Sequence, residues 1–262
     1  SDCQVVFLAG TSGSNPAIWR STDNGQTFTR RSAPFSINTW AAVNDTTLFF
    51  GSYNGSAGLI YHTTNNWFSY STGTVAGSQP LTSITLSPNY EQDETILIGN
   101  TNGWVYWSAD NGTSFKPLPP DATSPPLTGS VTVAFDPEFS NNKVVYAASD
   151  TANKGTHRFI INKSTKWESI DSTLPTGSRL SQIAVSADGT LYATNLKANG
   201  GMERSLDPVY SLGPTFETVT RGLNDSASLT GLWLQGNQLW SIDTQNTKLM
   251  TYTDSLAQAV ML

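Results

Sequence analysis

Charged residues are scarce in this sequence, and their scarcity excludes several classes of function. Asp, Glu, Lys and Arg make up 13% of the 262 residues, whereas about 25% is usual in soluble domains. The balance is also acidic, with a formal net charge of −6. Because affinity for nucleic acid comes mainly from Lys and Arg on phosphates, we expect no nucleic-acid partner. A polybasic membrane anchor is excluded for the same reason.

Cysteine, histidine and long apolar runs are nearly absent as well. The single thiol, Cys3, allows neither an internal disulfide nor a cysteine-based zinc site. The two histidines, His62 and His157, form no His-x-His pair and have no cysteine partner, so we expect no metal site and no cofactor. No apolar run approaches the roughly 18 residues of a transmembrane helix, and no direct membrane span is expected.

What the chain does contain is aromatic and polar but uncharged residues. It has 8 Trp, 9 Tyr and 11 Phe, which argues against disorder. Ser, Thr, Asn and Gly are abundant, whereas Lys and Glu are few. This composition favours a secreted protein that lies outside the cell or at the cell surface.

A short strand pattern recurs through the whole sequence. It occupies residues 5–10, 47–52, 95–100, 144–149, 190–195 and 238–243, at spacings of 42 to 49 residues. Three further sets of short runs rich in Val, Ile, Thr and aromatic residues lie between these copies, bounded by Gly, Pro, Asn and Asp, which is typical of strands and turns. Four short strands at a period in the mid-40s predict the blade of a β-propeller.

The repeat predicts one all-β domain over residues 1–262, a six-bladed β-propeller of four-stranded antiparallel blades. The predicted blades span roughly residues 1–32, 39–72, 81–118, 130–170, 180–220 and 229–262. One strand of the first blade is missing, and we expect it to precede Ser1 or to be supplied by another segment. We interpret the apolar residues 257–262 as a buried closing strand. A longer parent chain is also consistent with this count.

A turn motif recurs at matching points of the repeat. Its members are Ser21, Asp23, Gly25 and Phe28, then Ser108, Asp110, Gly112 and Phe115, then Ser205, Asp207 and Phe216 with an insertion. An Asp side chain can accept backbone N–H groups of a turn, and Gly provides a positive φ. We expect the final aromatic side chain to pack between blades. Residues 62–67 and 162–167 occupy the same place in their blades but lack the Ser-x-Asp pair.

These turns resemble the Asp-box, also called the bacterial neuraminidase repeat. Propellers with this motif occur in sialidases, sortilin-type receptors, xyloglucan-cleaving endoglucanases, photosystem assembly factors and bacterial surface proteins. The linkers 86–99 and 135–148, each with a Pro and an aromatic residue, are most similar to those of the surface proteins. The resemblance implies that the Asp-box residues are structural and lie on the face away from the functional site.

An enzymatic function is the alternative that the sequence leaves open. The resemblance to sialidases fails at the arginine triad, because no Arg-Ile-Pro motif is present and only Arg158, Arg179 and Arg221 remain as candidates. A glycoside hydrolase of another kind needs two carboxylates roughly 5–10 Å apart. The loops opposite the Asp-boxes carry five candidates, Asp121, Asp150, Asp171, Asp225 and Asp243. None of them lies in a distinctive motif.

Binding is the function that we expect instead. The loops opposite the Asp-boxes are polar and uncharged, and they contain Tyr53 and Trp104 as aromatic platforms, with Asp150 and Asp243 as hydrogen-bonding groups. These residues suit a carbohydrate or protein partner. We therefore predict a non-enzymatic adhesion, scaffold or binding module. Because an open strand position can accept a strand from a neighbour, self-assembly into a larger surface structure is part of this prediction.

Overall fold

The computed structural model describes residues 5–224 and 226–255, and it confirms an all-β propeller of six blades. Blade 1 contains β1 (Val6–Ser12), β2 (Asn15–Ser21) and β3 (Thr29–Ser32). Blade 2 contains β4 (Thr39–Ala42), β5 (Leu48–Tyr53), β6 (Gly58–Thr63) and β7 (Thr74–Val75). Blade 3 contains β8 (Leu81–Leu86), β9 (Ile96–Asn100), β10 (Val105–Ser108) and β11 (Lys116–Pro117).

The second half of the ring follows the same plan. Blade 4 contains β12 (Val131–Phe135), β13 (Val144–Ser149), β14 (Thr156–Ile160) and β15 (Glu168–Ser169). Blade 5 contains β16 (Leu180–Val185), β17 (Leu191–Asn195), β18 (Met202–Ser205) and β19 (Glu217–Val219). Blade 6 contains β20 (Leu229–Gln235), β21 (Gln238–Asp243) and β22 (Lys248–Thr253). All pairings are antiparallel between consecutive strands.

Two short helices lie in the turns between the first and second strands of blades 3 and 4. They are α1 (Tyr90–Asp93) and α2 (Phe139–Asn142), within the linkers whose Pro and aromatic residues the sequence singles out. Phe139 is buried and packs edge-on against Phe135 at a ring distance of 4.6 Å. Neither helix is long or apolar enough to cross a membrane.

The innermost strands form the wall of the ring. β4, β8, β12, β16 and β20 each contact the next in turn. Side-chain hydroxyls join them across the blade boundaries: Thr82 and Thr85 of β8 donate to the carbonyls of Val131 and Val133 in β12, and Thr132 donates to Ser181. The second strands β9, β13 and β17 are buried along their whole length because neighbouring blades cover both faces.

Blades 1 and 6, between which the ring would close, differ from the other blades, because each has three described strands instead of four. Within residues 5–224 and 226–255, blade 1 has three strands and no inner strand equivalent to β4, as the sequence predicts, while blade 6 has its inner three strands. The predicted closing strand at 257–262 lies outside the described residues. Within the described residues no hydrophobic cluster joins blades 1 and 6, whereas clusters join the other neighbouring blades.

One strand lies later in the sequence than its pattern suggests. The run at 67–72 has strand-like composition, but the fourth strand of blade 2 is β7 at Thr74–Val75. The reason is local: Asn66 and Trp67 have φ values of 57° and 51°, which belong to a turn and break extended backbone.

Candidate functional site

Antiparallel strands divide the connections between two faces of the ring. One face, here called the Asp-box face after the motif that its turns resemble, carries the first and third turns of the blades, at 22–28, 43–47, 64–73, 87–95, 109–115, 136–143, 161–167, 186–190, 206–216 and 236–237. The loop face carries the second turns, at 13–14, 54–57, 101–104, 150–155, 196–201 and 244–247, together with the links between blades. The sequence predicts a functional site on the loop face.

The first Asp-box forms the hydrogen bonds that its residue types predict. The Ser21 hydroxyl donates to the Asp23 carboxylate at 2.6 Å and accepts the N–H of Gly25 at 2.8 Å. Asp23 in turn accepts the N–H and the hydroxyl of Thr27, at 2.9 Å and 2.6 Å. Gly25 has a φ of 84°. Hydrogen bonds from Ser21 and Thr27 lower the pKa of Asp23 to about 2.

The second Asp-box repeats this network atom for atom. Ser108 donates to Asp110 at 2.6 Å, and Gly112 donates its N–H to Ser108 at 2.9 Å. Ser114 donates its N–H and its hydroxyl to Asp110, at 3.0 Å and 2.6 Å. Burial raises the pKa of Asp110, but the hydrogen bonds from Ser108 and Ser114 outweigh it, so that the pKa falls below its usual value.

Blade 2 contains the same turn in a form that the sequence pattern hides. Thr63 donates to the Asn65 side chain at 3.0 Å and accepts the N–H of Trp67 at 3.0 Å. Asn65 accepts the N–H of Ser69 at 3.1 Å. Thr and Asn thus replace Ser and Asp, Trp67 takes the glycine position, and Tyr70 takes the place of the final aromatic residue.

The third predicted Asp-box, in blade 5, does not form this network. The Ser205 hydroxyl is buried and has no hydrogen-bond partner in the described part of the chain. Asp207 is exposed, and no hydrogen bond to its carboxylate occurs among the described residues. The insertion after Asp207 lengthens the turn by four residues, and the N–H that Asp23 and Asp110 accept four positions later has no counterpart at Asp207 among the described residues.

The aromatic residues that end these turns pack against the preceding blade. Phe115 lies against the cluster of Phe49 and Ile96, and Phe216 packs in the cluster that contains Tyr146 of blade 4. Phe28 is the exception to the expected packing between blades, since it is 38% exposed. Its preceding blade would be blade 6, which no described hydrophobic cluster connects to blade 1.

On the loop face, Asp150 and Asp243 hold the ends of their strands in place. Asp150 accepts the N–H of Ser130 at 2.8 Å. Asp243 accepts the N–H groups of Ser228, Gln245 and Asn246 at 3.1–3.2 Å, and the amide of Asn246 at 2.7 Å. The Asn246 hydrogen bond lowers the pKa of Asp243. The two carboxylates lie in blades 4 and 6, which blade 5 separates.

The two aromatic candidates also lie on the loop face, in neighbouring blades. The Tyr53 hydroxyl donates to the carbonyl of Gly55 at 2.9 Å. Trp104 stacks on Tyr106 at a ring distance of 5.8 Å and an interplanar angle of 22°. Both side chains are half-buried, so each keeps part of a ring open. Their binding role remains a prediction.

The remaining candidates are dispersed. Asp171 accepts the Ser169 hydroxyl, Asp121 is an exposed turn residue, and Asp225 lies outside the described residues. His157 has a buried Nδ1 that no described residue hydrogen-bonds, and burial lowers its pKa. No group of three His, Cys, Asp or Glu side chains able to hold a metal occurs in residues 5–224 and 226–255.

Two arginines join blades on the Asp-box side: Arg204 and Arg158, the latter a sequence candidate for the arginine triad. Arg204 of blade 5 donates to Asp254 of blade 6 at 2.6 Å and to Glu217 at 2.6 Å, and Tyr192 donates to Asp254 at 2.8 Å. Arg158 of blade 4 is likewise buried and reaches the blade 5 turn. Its place excludes it from a loop-face arginine triad. An Arg-Ser pair begins the turns of blades 1 and 5, but nothing in the local sequence marks Arg158.

Comparisons with known proteins bear on the fold. No family model and no curated protein matches the sequence. Among solved structures, the chain is similar to YCF48 bound to D1 peptide, with a TM-score of 0.62, 17% identity, and coverage of 97% of this chain and 76% of that one.

Two further structures share the same architecture. The Niastella koreensis GH74 enzyme has a TM-score of 0.64 and 16% identity over 95% of this chain, which spans only 43% of the enzyme's chain. The nidogen/laminin complex has a TM-score of 0.62 and 12% identity, over 97% of this chain and 91% of that one. At these identities the likeness shows the fold alone: this chain is a six-bladed β-propeller.

Proposed function

We propose that this protein is a non-enzymatic propeller, secreted or held at the cell surface, whose loop face binds a carbohydrate or protein partner. It would serve as an adhesion or scaffold module, alone or within a larger surface assembly. The Ser, Thr and Asn content of the chain supports the extracellular setting. The Asp-box resemblance, in which these turns are structural, supports assigning the partner to the opposite face.

The observation that carries the proposal is the hydrogen bonding of the Asp243 carboxylate and its effect on the pKa. Its carboxylate accepts three backbone N–H groups and one amide, and its pKa is lowered by the Asn246 hydrogen bond. The general acid of a glycoside hydrolase needs a raised pKa in order to hold a proton. Asp243 is therefore suited to shaping a rigid loop, and a rigid loop lowers the entropic cost of binding.

The solved relatives support a binding role by analogy. One of them is described as bound to a D1 peptide, and another as a nidogen/laminin complex. The GH74 likeness keeps a carbohydrate-active enzyme as the alternative. That enzyme class would require two loop-face carboxylates that act together across a bound sugar.

A glycan panel scored for both binding and release of reducing ends tests the proposal. We expect saturable binding without turnover, weakened by Trp104→Ala and by Tyr53→Ala. Phe68→Ala is the matched control, because Phe68 is an exposed aromatic residue on the Asp-box side. Turnover that Asp150→Asn or Asp243→Asn abolishes would replace the proposal with the enzymatic alternative. Absence of both signals would restrict the loop face to protein partners.

A further inference from the structure

The insertion in the fifth blade exposes apolar side chains on the Asp-box face. From the box serine to the final aromatic residue there are seven positions in blades 1 and 3, but eleven in blade 5, from Ser205 to Phe216. The extra length presents four exposed apolar side chains, Leu206, Val209, Tyr210 and Leu212, the last of them 84% exposed. Single exposed apolar residues are ordinary, whereas a contiguous group marks an interaction site.

This insertion is held in place at both ends. The buried guanidinium of Arg158 donates to the carbonyls of Pro208 and Tyr210, at 2.9 Å and 3.4 Å, while it also pairs with Glu168 at 2.8 Å. At the far end, the N–H of Phe216 donates to the Thr173 hydroxyl at 2.6 Å. The apolar side chains therefore project from a fixed backbone, which reduces the cost of ordering on binding.

A groove of about 300 Å³ runs beside the insertion and is lined by four carboxylates, those of Asp136, Glu138, Asp188 and Asp207. The last three are exposed. None of the four forms an ion pair with a described residue. Lys143, the cation at the end of α2, lies 5.1 Å from the Phe139 ring and forms no ion pair with a described carboxylate.

The corresponding groove between blades 2 and 3 shows that the acidity is local. It is of similar size, about 340 Å³, and is formed by the equivalent turns on the same face. Its lining contains one carboxylate, Glu91, and no exposed apolar insertion borders it. Of these two grooves, only the one between blades 4 and 5 combines clustered carboxylates with exposed apolar side chains.

We infer that the groove and the insertion together, here called the acidic-apolar surface, dock a segment of a partner protein that carries Lys or Arg beside apolar residues. The cations of the partner would pair with the carboxylates that line the groove, and its apolar side chains would cover Leu206, Val209 and Leu212. An anionic lipid surface would be repelled by the same charges. The inference goes beyond the proposed function, because this surface lies on the face opposite the loop face.

The test measures the affinity of the full chain for a fluorescein-labelled peptide of ten alternating Lys and Leu residues, by fluorescence anisotropy at low salt. We expect saturable binding, and no binding of the matched Glu-Leu or Lys-Ser peptides. Reversing two charges with Glu138→Lys and Asp188→Lys should weaken binding about tenfold or more. Leu212→Ser should also weaken it, without affecting folding, because Leu212 is almost fully exposed.

Two controls make the result specific. Glu91→Lys places the same charge change in the corresponding groove, and Trp104→Ala changes the loop face; neither should alter peptide binding. Equal weakening by Glu91→Lys, or equal binding of the Lys-Ser peptide, would overturn the inference in favour of general electrostatic attraction. Arg31 lies 3.7 Å from the ring of the exposed Phe68 on the same face, and is thus a cation beside an apolar side chain on this chain itself. A concentration-dependent dimer that is lost in both Leu212→Ser and Arg31→Glu would overturn the inference in favour of a second copy of this chain.

Discussion

Trp167 and Trp67 offer a direct measure of how much one hydrogen bond between blades stabilises this ring. Both side chains are buried, at 8% and 5% exposure, in the third turns of their blades. The indole N–H of Trp167 donates to the carbonyl of Leu118 in blade 3 at 2.8 Å. The indole N–H of Trp67 is buried and has no partner within the described residues. Only the indole of Trp167 makes a described hydrogen bond, and the positive φ of Trp67 is unaffected by substitution with another L-residue.

The perturbation is Trp→Phe at each position. Each substitution removes similar apolar contacts, which costs about 1–2 kcal/mol. Trp167→Phe also leaves the buried Leu118 carbonyl unpaired, which adds about 1–3 kcal/mol. Trp67→Phe removes a donor that is already unpaired and carries no such penalty. We therefore expect Trp167→Phe to be the more destabilising by about 2 kcal/mol.

Denaturant unfolding followed by circular dichroism measures the difference, and thermal unfolding gives an independent value. For a chain of this size, 2 kcal/mol corresponds to a Tm difference of about 4–8 °C. An equal loss of stability in the two variants would refute the reasoning, because it would mean that the Leu118 carbonyl finds another donor or that packing alone decides the cost.

Two further predictions concern charge. Arg204→Leu removes the guanidinium that lies 2.6 Å from the buried Asp254, and should cost about 3–5 kcal/mol of unfolding free energy. The control is Arg20→Leu, because Arg20 has the same strand position in blade 1 but forms no ion pair with a described residue. Arg20→Leu should cost much less in the same unfolding assay, and equal costs would contradict the argument. The lowered pKa of Asp23, about 2, means that its ionised form stabilises the fold fully above the unfolded pKa of about 3.9 and loses that contribution as the pH falls towards 2. The Tm difference between the natural chain and Asp23→Asn should thus be constant above about pH 5 and shrink towards pH 2, and a difference that stays constant over this range would disprove the assignment.

The fold is predictable from the sequence because its signal is repeated six times. Each strand is short and ambiguous alone, yet the period in the mid-40s constrains all of them together. The helices α1 and α2 escape prediction because four residues cannot show a helical period. The Thr63 turn is missed by the sequence pattern because the motif specifies Ser and Asp, whereas the structure requires only a hydroxyl and a side-chain oxygen at the right spacing.

The sites are less predictable because they depend on contacts distant in sequence. Nothing local indicates that Arg158 will hold a turn fifty residues later, or that Asp136, Asp188 and Asp207 will line one groove. Conversely, Asp150 and Asp243 have the composition of ligand-binding residues, and only the structure reveals how their oxygens are used. The residue type indicates what a side chain can bind, but the packing of neighbouring blades decides whether that side chain is accessible to a ligand.

The contacts that arginine and aromatic side chains make between blades are directional. Arg158 and Arg204 reach forward to the next blade, while Trp167 and Phe216 reach back to the previous one. A middle blade thus contributes one partner to each of two different contacts, one with the next blade and one with the previous blade. Excising blade 5 would remove the turn that Arg158 holds and would deprive Asp254 of Arg204. Duplication of such a blade should therefore disrupt the ring less than its deletion, because the added copy carries both the arginine that contacts the next blade and the aromatic residue that contacts the previous one.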